Sequence, residues 1–87
     1  MGFYVYILKS QQDGTYYKGF SEDYLKRLDT HNRGESAYTS NKIPWDLIFV
    51  EEFQDKKSAL IMEKKLKKCK ADYFEWLRKS DRNILKQ

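Results

Sequence analysis

Five side chains in this sequence could do chemistry that a hydrophobic core does not need. They are the phenols Tyr6 and Tyr17, the Arg27 guanidinium, the His31 imidazole and the Glu63 carboxylate. Arg27 offers a planar fork of donors suited to a phosphate. A phenol has a free pKa near 10, so it becomes a base only where nearby positive charge favours the phenolate. Glu63 falls inside the apolar stripe of a helix, angularly between Ala59 and Leu60. A carboxylate there must be paired, hold a cation, or sit where the stripe opens to solvent, because burying it alone is costly. Whether the five share one place depends on the elements that carry them.

The first two elements read as a hairpin. Phe3 to Lys9 and Thr15 to Phe20 mix β-branched and aromatic residues, which suit a pleated, half-buried surface. The Asp13-Gly14 step between them tolerates the positive φ that such turns require. A four-residue loop, Gln11 to Gly14, sets Tyr6 opposite Gly19 and Leu8 opposite Tyr17. The two tyrosines are then diagonal neighbours on one face, whereas an odd loop would separate them. Lys18, by the same parity, faces away from Tyr6.

A helix is expected next, with the Ser21 hydroxyl as N-cap and Gly34 as the left-handed stop. Its apolar stripe is Tyr24, Leu25 and Leu28, and Arg27 and His31 lie one turn apart along one border of it. Residues 35–45 form a long polar loop of the kind often used for binding. A third strand over residues 46–53 has a near-continuous apolar centre, which implies burial on both faces. Asp55 caps a second helix from 56 to about 68, with Ala59, Met62, Leu66 and Cys69 as its stripe and Leu60 widening it. A third helix, about 71–79, packs through Tyr73, Phe74, Trp76 and Leu77, and the end of the chain reads as a frayed tail.

With 87 residues there is room for one domain over 1–87, with a core of about 3–79 and a C-terminal tail of 80–87. The net charge of +4 favours a polyanionic partner. No apolar run approaches a membrane span. One cysteine and one histidine exclude an internal disulfide and a zinc cluster of the usual Cys/His kind, which points to a reducing, cytoplasmic setting.

Taken in order, Tyr4-Val5-Tyr6, Tyr17-Lys18-Gly19, Arg27 and His31 on the next helix, and Glu63 on a later one resemble the GIY-YIG nuclease domain. The likeness is closest to its small stand-alone bacterial members and extends from Tyr4 to about Lys68, including the Tyr38-Thr39 and Pro44-Trp45 loop features. The resemblance implies an α+β fold, a three-stranded antiparallel sheet flanked by helices in the order β-β-α-β-α-α. It also implies metal-dependent phosphodiester hydrolysis on DNA, with RNA left open, in DNA repair or processing. Tyr6 and Tyr17 take the places of the two motif tyrosines, Arg27 and His31 those of the helix pair, and Glu63 that of the metal-binding glutamate. The ion is expected to be Mg²⁺, with Mn²⁺ as the other choice, held by Glu63 and water. Tyr6 is the expected general base, with Tyr17 and His31 positioning the water or sharing the proton. Lys18, Gly19, Tyr38, Thr39 and Lys42 are the expected nucleic-acid contacts, with Gly19 leaving room for a phosphate. Two positions depart from the pattern, Tyr4 in place of glycine and Lys18 in place of isoleucine, and neither removes a reacting group.

Each residue also has a plainer use. Hairpin aromatics usually pack, Arg27 could pair with Glu22 or Asp23, His31 could complement the helix dipole, and Glu63 could pair with Lys67. The lysines at 64, 65, 67 and 68 read as a solvated helix face. Two rival functions follow, a non-catalytic nucleic-acid-binding relative and a small protein-interaction domain. The chain is taken as a monomer.

Overall fold

The computed structural model describes residues 2–86, so Met1 and Gln87 of the expected 1–87 domain lie outside the described residues. The hairpin closes as the parity of its arms demands. β1 (Phe3–Ser10) pairs with β2 (Tyr16–Ser21) antiparallel, with Tyr6 opposite Gly19 and Leu8 opposite Tyr17. Gly14 takes φ +77° at the turn, and the Asp13 carboxylate accepts the Thr15 amide at 3.0 Å. Then follow α1 (Tyr24–Asn32), a 3-10 turn at Ser40–Lys42, β3 (Trp45–Phe53), α2 (Lys56–Leu66), α3 (Ala71–Lys79) and a last 3-10 turn at Ile84–Lys86. The sheet order is β2-β1-β3, antiparallel throughout, and the fold is the expected α+β arrangement.

Each face of the sheet carries its own core. Val5 and Ile7 pack with Ile48 and Phe49 against α2 and α3, through Ala59, Met62, Leu66, Phe74 and Leu77. Tyr6, Leu8, Trp45 and Val50 form the other core, closed by Tyr24 and Leu28 of α1. A bulge makes the unbroken apolar run of β3 fit this division. The register shifts between Ile7 and Leu8, leaving Ile48 without a partner, so Ile48 and Phe49 enter the same core despite being neighbours.

Four local expectations are corrected. Asp23, not Ser21, caps α1 by accepting the Lys26 amide at 3.1 Å, while Ser21 Oγ holds the Asp23 amide at 2.8 Å. Leu25 is exposed, because Arg27 and His31 share the inward side of α1 with Tyr24 and Leu28. Leu60 and Trp76 are exposed as well, with Trp76 stacked on Tyr73 at 5.8 Å along the surface of α3. The stretch after α3 is anchored, not frayed. Asn83 is 2% exposed, and its amide accepts the Val50 N–H at 3.2 Å and donates to the Ile48 carbonyl at 2.9 Å. It thus satisfies the outer edge of β3 as a neighbouring strand would.

Candidate active site

Strand β1 and helix α1 bring the first cluster together. Tyr6 points from the central strand toward α1, and the 3.6-residue repeat turns Arg27 and His31 to meet it. Tyr6 Oη lies 3.3 Å from His31 Nε2. The Tyr17 ring sits 6.3 Å from that of Tyr6 and 4.8 Å from the imidazole, centroid to centroid. Tyr6 is 1% exposed and His31 fully buried, whereas Tyr17 is half-buried and Tyr38 84% exposed, so the cluster grades from core to solvent.

The other imidazole nitrogen fixes the ring. His31 Nδ1 is 2.7 Å from Thr39 Oγ1, and that oxygen is 3.5 Å from the Ser36 carbonyl, to which it can only donate. With the threonine proton so engaged, Nδ1 carries a proton and donates to Thr39, and Nε2 is left to accept the Tyr6 hydroxyl. Burial, and then the Arg27 charge, hold the His31 pKa below its ordinary 6.5, which keeps Nε2 a free acceptor at neutral pH.

Burial raises the Tyr6 pKa above its ordinary value, and the neighbouring Tyr17 and Glu63 push the same way. The nearby Arg27 guanidinium opposes this without overcoming it. The expected phenolate is therefore not the resting state, and Tyr6 is a neutral hydroxyl beside a proton acceptor. Arg27 in turn is held further in its charged form, first by the Tyr6 hydroxyl beside it and also by Tyr17. No ion pair among the described residues joins it to Glu22 or Asp23.

Glu63 comes from the other face of the sheet. β2 is an edge strand, and beyond that edge opens a cleft of about 610 Å³ lined by Tyr16, Tyr17, Lys18, Tyr38, Glu63 and Lys67. Tyr17 thus joins the buried cluster to the cleft that holds the carboxylate. Glu63 makes no ion pair among the described residues, with Lys67 or any other cation. No group of three or more His, Cys, Asp or Glu side chains gathers among the described residues. One unpaired carboxylate at an open cleft fits a hard cation such as Mg²⁺, which keeps several waters and takes substrate phosphate oxygens as further ligands.

The expected nucleic-acid contacts divide. Lys18 pairs across from Ile7, on the face away from Tyr6, and lines the cleft from that side with its ammonium 5.2 Å from the Phe74 ring. Burial and the nearby Lys67 lower its pKa. Gly19 is small for another reason than a phosphate, since a Cβ there would meet the Tyr6 ring and hydroxyl at 2.5 Å. Thr39 is buried against His31, out of reach of a polymer, and positions the imidazole instead. Lys42 is engaged with Asp13 at 2.5 Å, which depresses the Asp13 carboxyl pKa. Of Tyr38, Thr39 and Lys42, only Tyr38 is largely exposed.

Asn32 and Lys67 belong to the site and were not expected there. Asn32 donates to the Trp45 carbonyl at 3.1 Å and accepts its amide at 2.6 Å, which ties the loop carrying Tyr38 and Thr39 to α1. Nothing local signals such a clamp. Lys67 had a signal, because it lies one turn from Glu63 on the same face of α2.

The family model for the GIY-YIG catalytic domain matches residues 2–79. The chain is 38% identical over 85 residues to a UPF0213 protein of Streptococcus pneumoniae, covering 94% of this chain and 85% of that one. It is 35% identical to a UPF0213 protein of Streptococcus agalactiae, over 83% of this chain and 86% of that one. The solution NMR structure of the UPF0213 protein BH0048 from Bacillus halodurans superposes with a TM-score of 0.59 at 29% identity, covering 98% of this chain and 90% of that one. The paired tyrosines, the Arg27–His31 turn and the Glu63 cleft lie within the matched span, and the chain belongs to the GIY-YIG catalytic domain family, whose domains are of nuclease type.

Proposed function

We propose that the chain is a metal-dependent endonuclease that hydrolyses phosphodiester bonds in DNA, structure-directed or weakly sequence-specific, acting in repair or processing in the cytoplasm. The observation that carries this reading is the path from His31 through Tyr6 and Tyr17 to a cleft holding Glu63. Its residues bear on the needs of the reaction, which are a proton acceptor, charge opposite the phosphate and a place for a cation. Glu63 would hold the divalent ion, which when bound supplies charge neutralisation on the phosphate oxygens and at the leaving alkoxide. Arg27, kept charged by the two phenols, faces the developing negative charge. Tyr17 orients the attacking water from the cleft wall. Tyr6 takes the proton as it passes its own to His31 Nε2, the neutral acceptor 3.3 Å away. Thr39 keeps the imidazole in the tautomer that allows this.

The test is Mg²⁺-dependent cleavage of plasmid, nicked and branched DNA by wild type, Tyr6→Phe, Arg27→Ala and Glu63→Ala. Wild type should cut and the three variants should each lose most of the rate while staying folded. Equal cutting by all four would mark a contaminant and end the nuclease reading.

A further inference from the structure

A second recess adjoins the catalytic cleft and differs from it in character. It measures about 150 Å³ and is walled by Tyr16, Tyr17, Tyr38 and Trp45, with Thr39 behind and Lys42 at the rim. Tyr16, Tyr17 and Tyr38 belong to both spaces. Their rings are 6.1 Å apart at 52°, and Tyr17 stands 6.3 Å from Trp45 at 61°. The walls are fixed from behind. The Trp45 indole N–H donates to the Thr39 carbonyl at 3.1 Å, and Thr39 itself is locked on His31. Tyr38 directly precedes Thr39 in the chain and is itself 84% exposed.

Single exposed aromatics are ordinary and need no explanation. Tyr38 differs in standing between two recesses, at the outer end of a run of rings that leads through Tyr17 to His31. Charge separates the two spaces further. The cleft presents Lys18, Lys67 and Glu63, whereas the one cation at the smaller recess is neutralised by Asp13. A phosphate would choose the first and a flat, uncharged ring the second. Its volume equals about five waters at 30 Å³ each, enough for one ring system and too small for a base pair.

Resting on the nuclease reading above, the geometry points to a base-binding pocket. An unpaired nucleobase next to the scissile phosphate stacks on Tyr38, against Tyr17 and Trp45, so the substrate is DNA that offers an unstacked nucleotide, such as a single strand, a flap or a gap. Aromatic stacking of this kind tolerates any base, so it selects for strandedness and not for sequence.

The probe is a DNA oligonucleotide carrying 2-aminopurine between two abasic spacers, so that only a protein ring can stack on it, titrated in EDTA to prevent cleavage. Wild type and Tyr38→Phe should quench its fluorescence. Tyr38→Ala and Tyr38→Leu should not, and should bind it roughly five- to 150-fold more weakly. The same 2-aminopurine in a matched duplex should be bound without further quenching. Equal affinity and quenching by wild type and Tyr38→Ala would overturn the pocket. Cleavage assays with Mg²⁺ keep the two ideas apart. Quenching without cleavage leaves the pocket and removes the nuclease, while cleavage of matched duplex as fast as of gapped DNA, unchanged in Tyr38→Ala, does the reverse. A wild-type protein that binds neither oligonucleotide ends both.

Discussion

The hydroxyl of Tyr6 is one oxygen in a nearly closed environment, and its removal separates chemistry from stability. Tyr6→Phe deletes one hydrogen bond to His31 and leaves the ring in place. Stability should fall by about 1 kcal/mol, the net worth of one such bond, in urea unfolding. Cleavage should fall by roughly 10²–10⁴-fold, the contribution of a positioned base. His31 makes a second, pH-resolved prediction. Its folded pKa is depressed below 6.5 by burial and by Arg27, so the unfolded chain binds the proton first as pH drops. Stability contributed by the neutral imidazole is thus complete above pH 6.5 and is lost as pH falls from there toward the folded value. His31 is the one histidine in the chain, so few other groups titrate between pH 5 and 6.5. Urea midpoints across that window should slope downward in wild type and lie flat in His31→Asn. Gly19→Ala tests the packing that holds Tyr6. The new methyl would fall 2.5 Å from the Tyr6 ring, and with that ring buried on every side the strain should cost about 1–3 kcal/mol.

At the scale of elements, what could be read in advance was whatever the chain repeats locally. The hairpin register followed from counting residues between Tyr6 and Tyr17, because a strand without a bulge alternates faces. Arg27 and His31 were legible as a pair because one helical turn separates them. The roles of Gly19, Thr39 and Asn83 were not. Each depends on a partner far along the chain, Tyr6 for Gly19, His31 for Thr39 and β3 for Asn83, and no local pattern encodes such a meeting. The same limit explains the exposed Leu25 and Trp76, where periodicity gave the stripe and tertiary packing chose its edges. Asn83 makes the point measurable. Asn83→Ala leaves the Val50 N–H and the Ile48 carbonyl buried at an unpaired strand edge. Each such group costs roughly 1–3 kcal/mol, so unfolding free energy should fall by about 2–6 kcal/mol. Hydrogen exchange at the Val50 amide should quicken more than that at Val5 in the central strand. An unchanged midpoint in urea would show that water replaces the amide at no cost.

At the scale of the molecule, the site exists because an edge strand lets two faces of one sheet meet. The phenols and the imidazole belong to the α1 face and Glu63 to the α2 face, and only round the outer edge of β2 can side chains from both reach a shared space. That edge is also where the positive charge is put to use. Of the lysines, Lys18 of β2 and Lys67 at the end of α2 line the cleft, and Lys67 is close enough to disfavour the charge on Lys18. Two cations held near one another in the cleft that Glu63 also lines form a place for phosphate, and polymer binding should release counterions accordingly. Anisotropy titrations of a single-stranded oligonucleotide in EDTA, between 50 and 200 mM salt, give the slope of log K against log salt. Each phosphate neutralised contributes about −0.7 to that slope for a single strand, so Lys18→Ala with Lys67→Ala should make it shallower by roughly 1.4. Lys64→Ala with Lys68→Ala, on α2 and just past its end and outside the cleft lining, should change it by much less. A larger effect from that second pair would move the nucleic-acid path off the cleft and onto the open surface of α2, leaving Glu63 without a phosphate to share its cation.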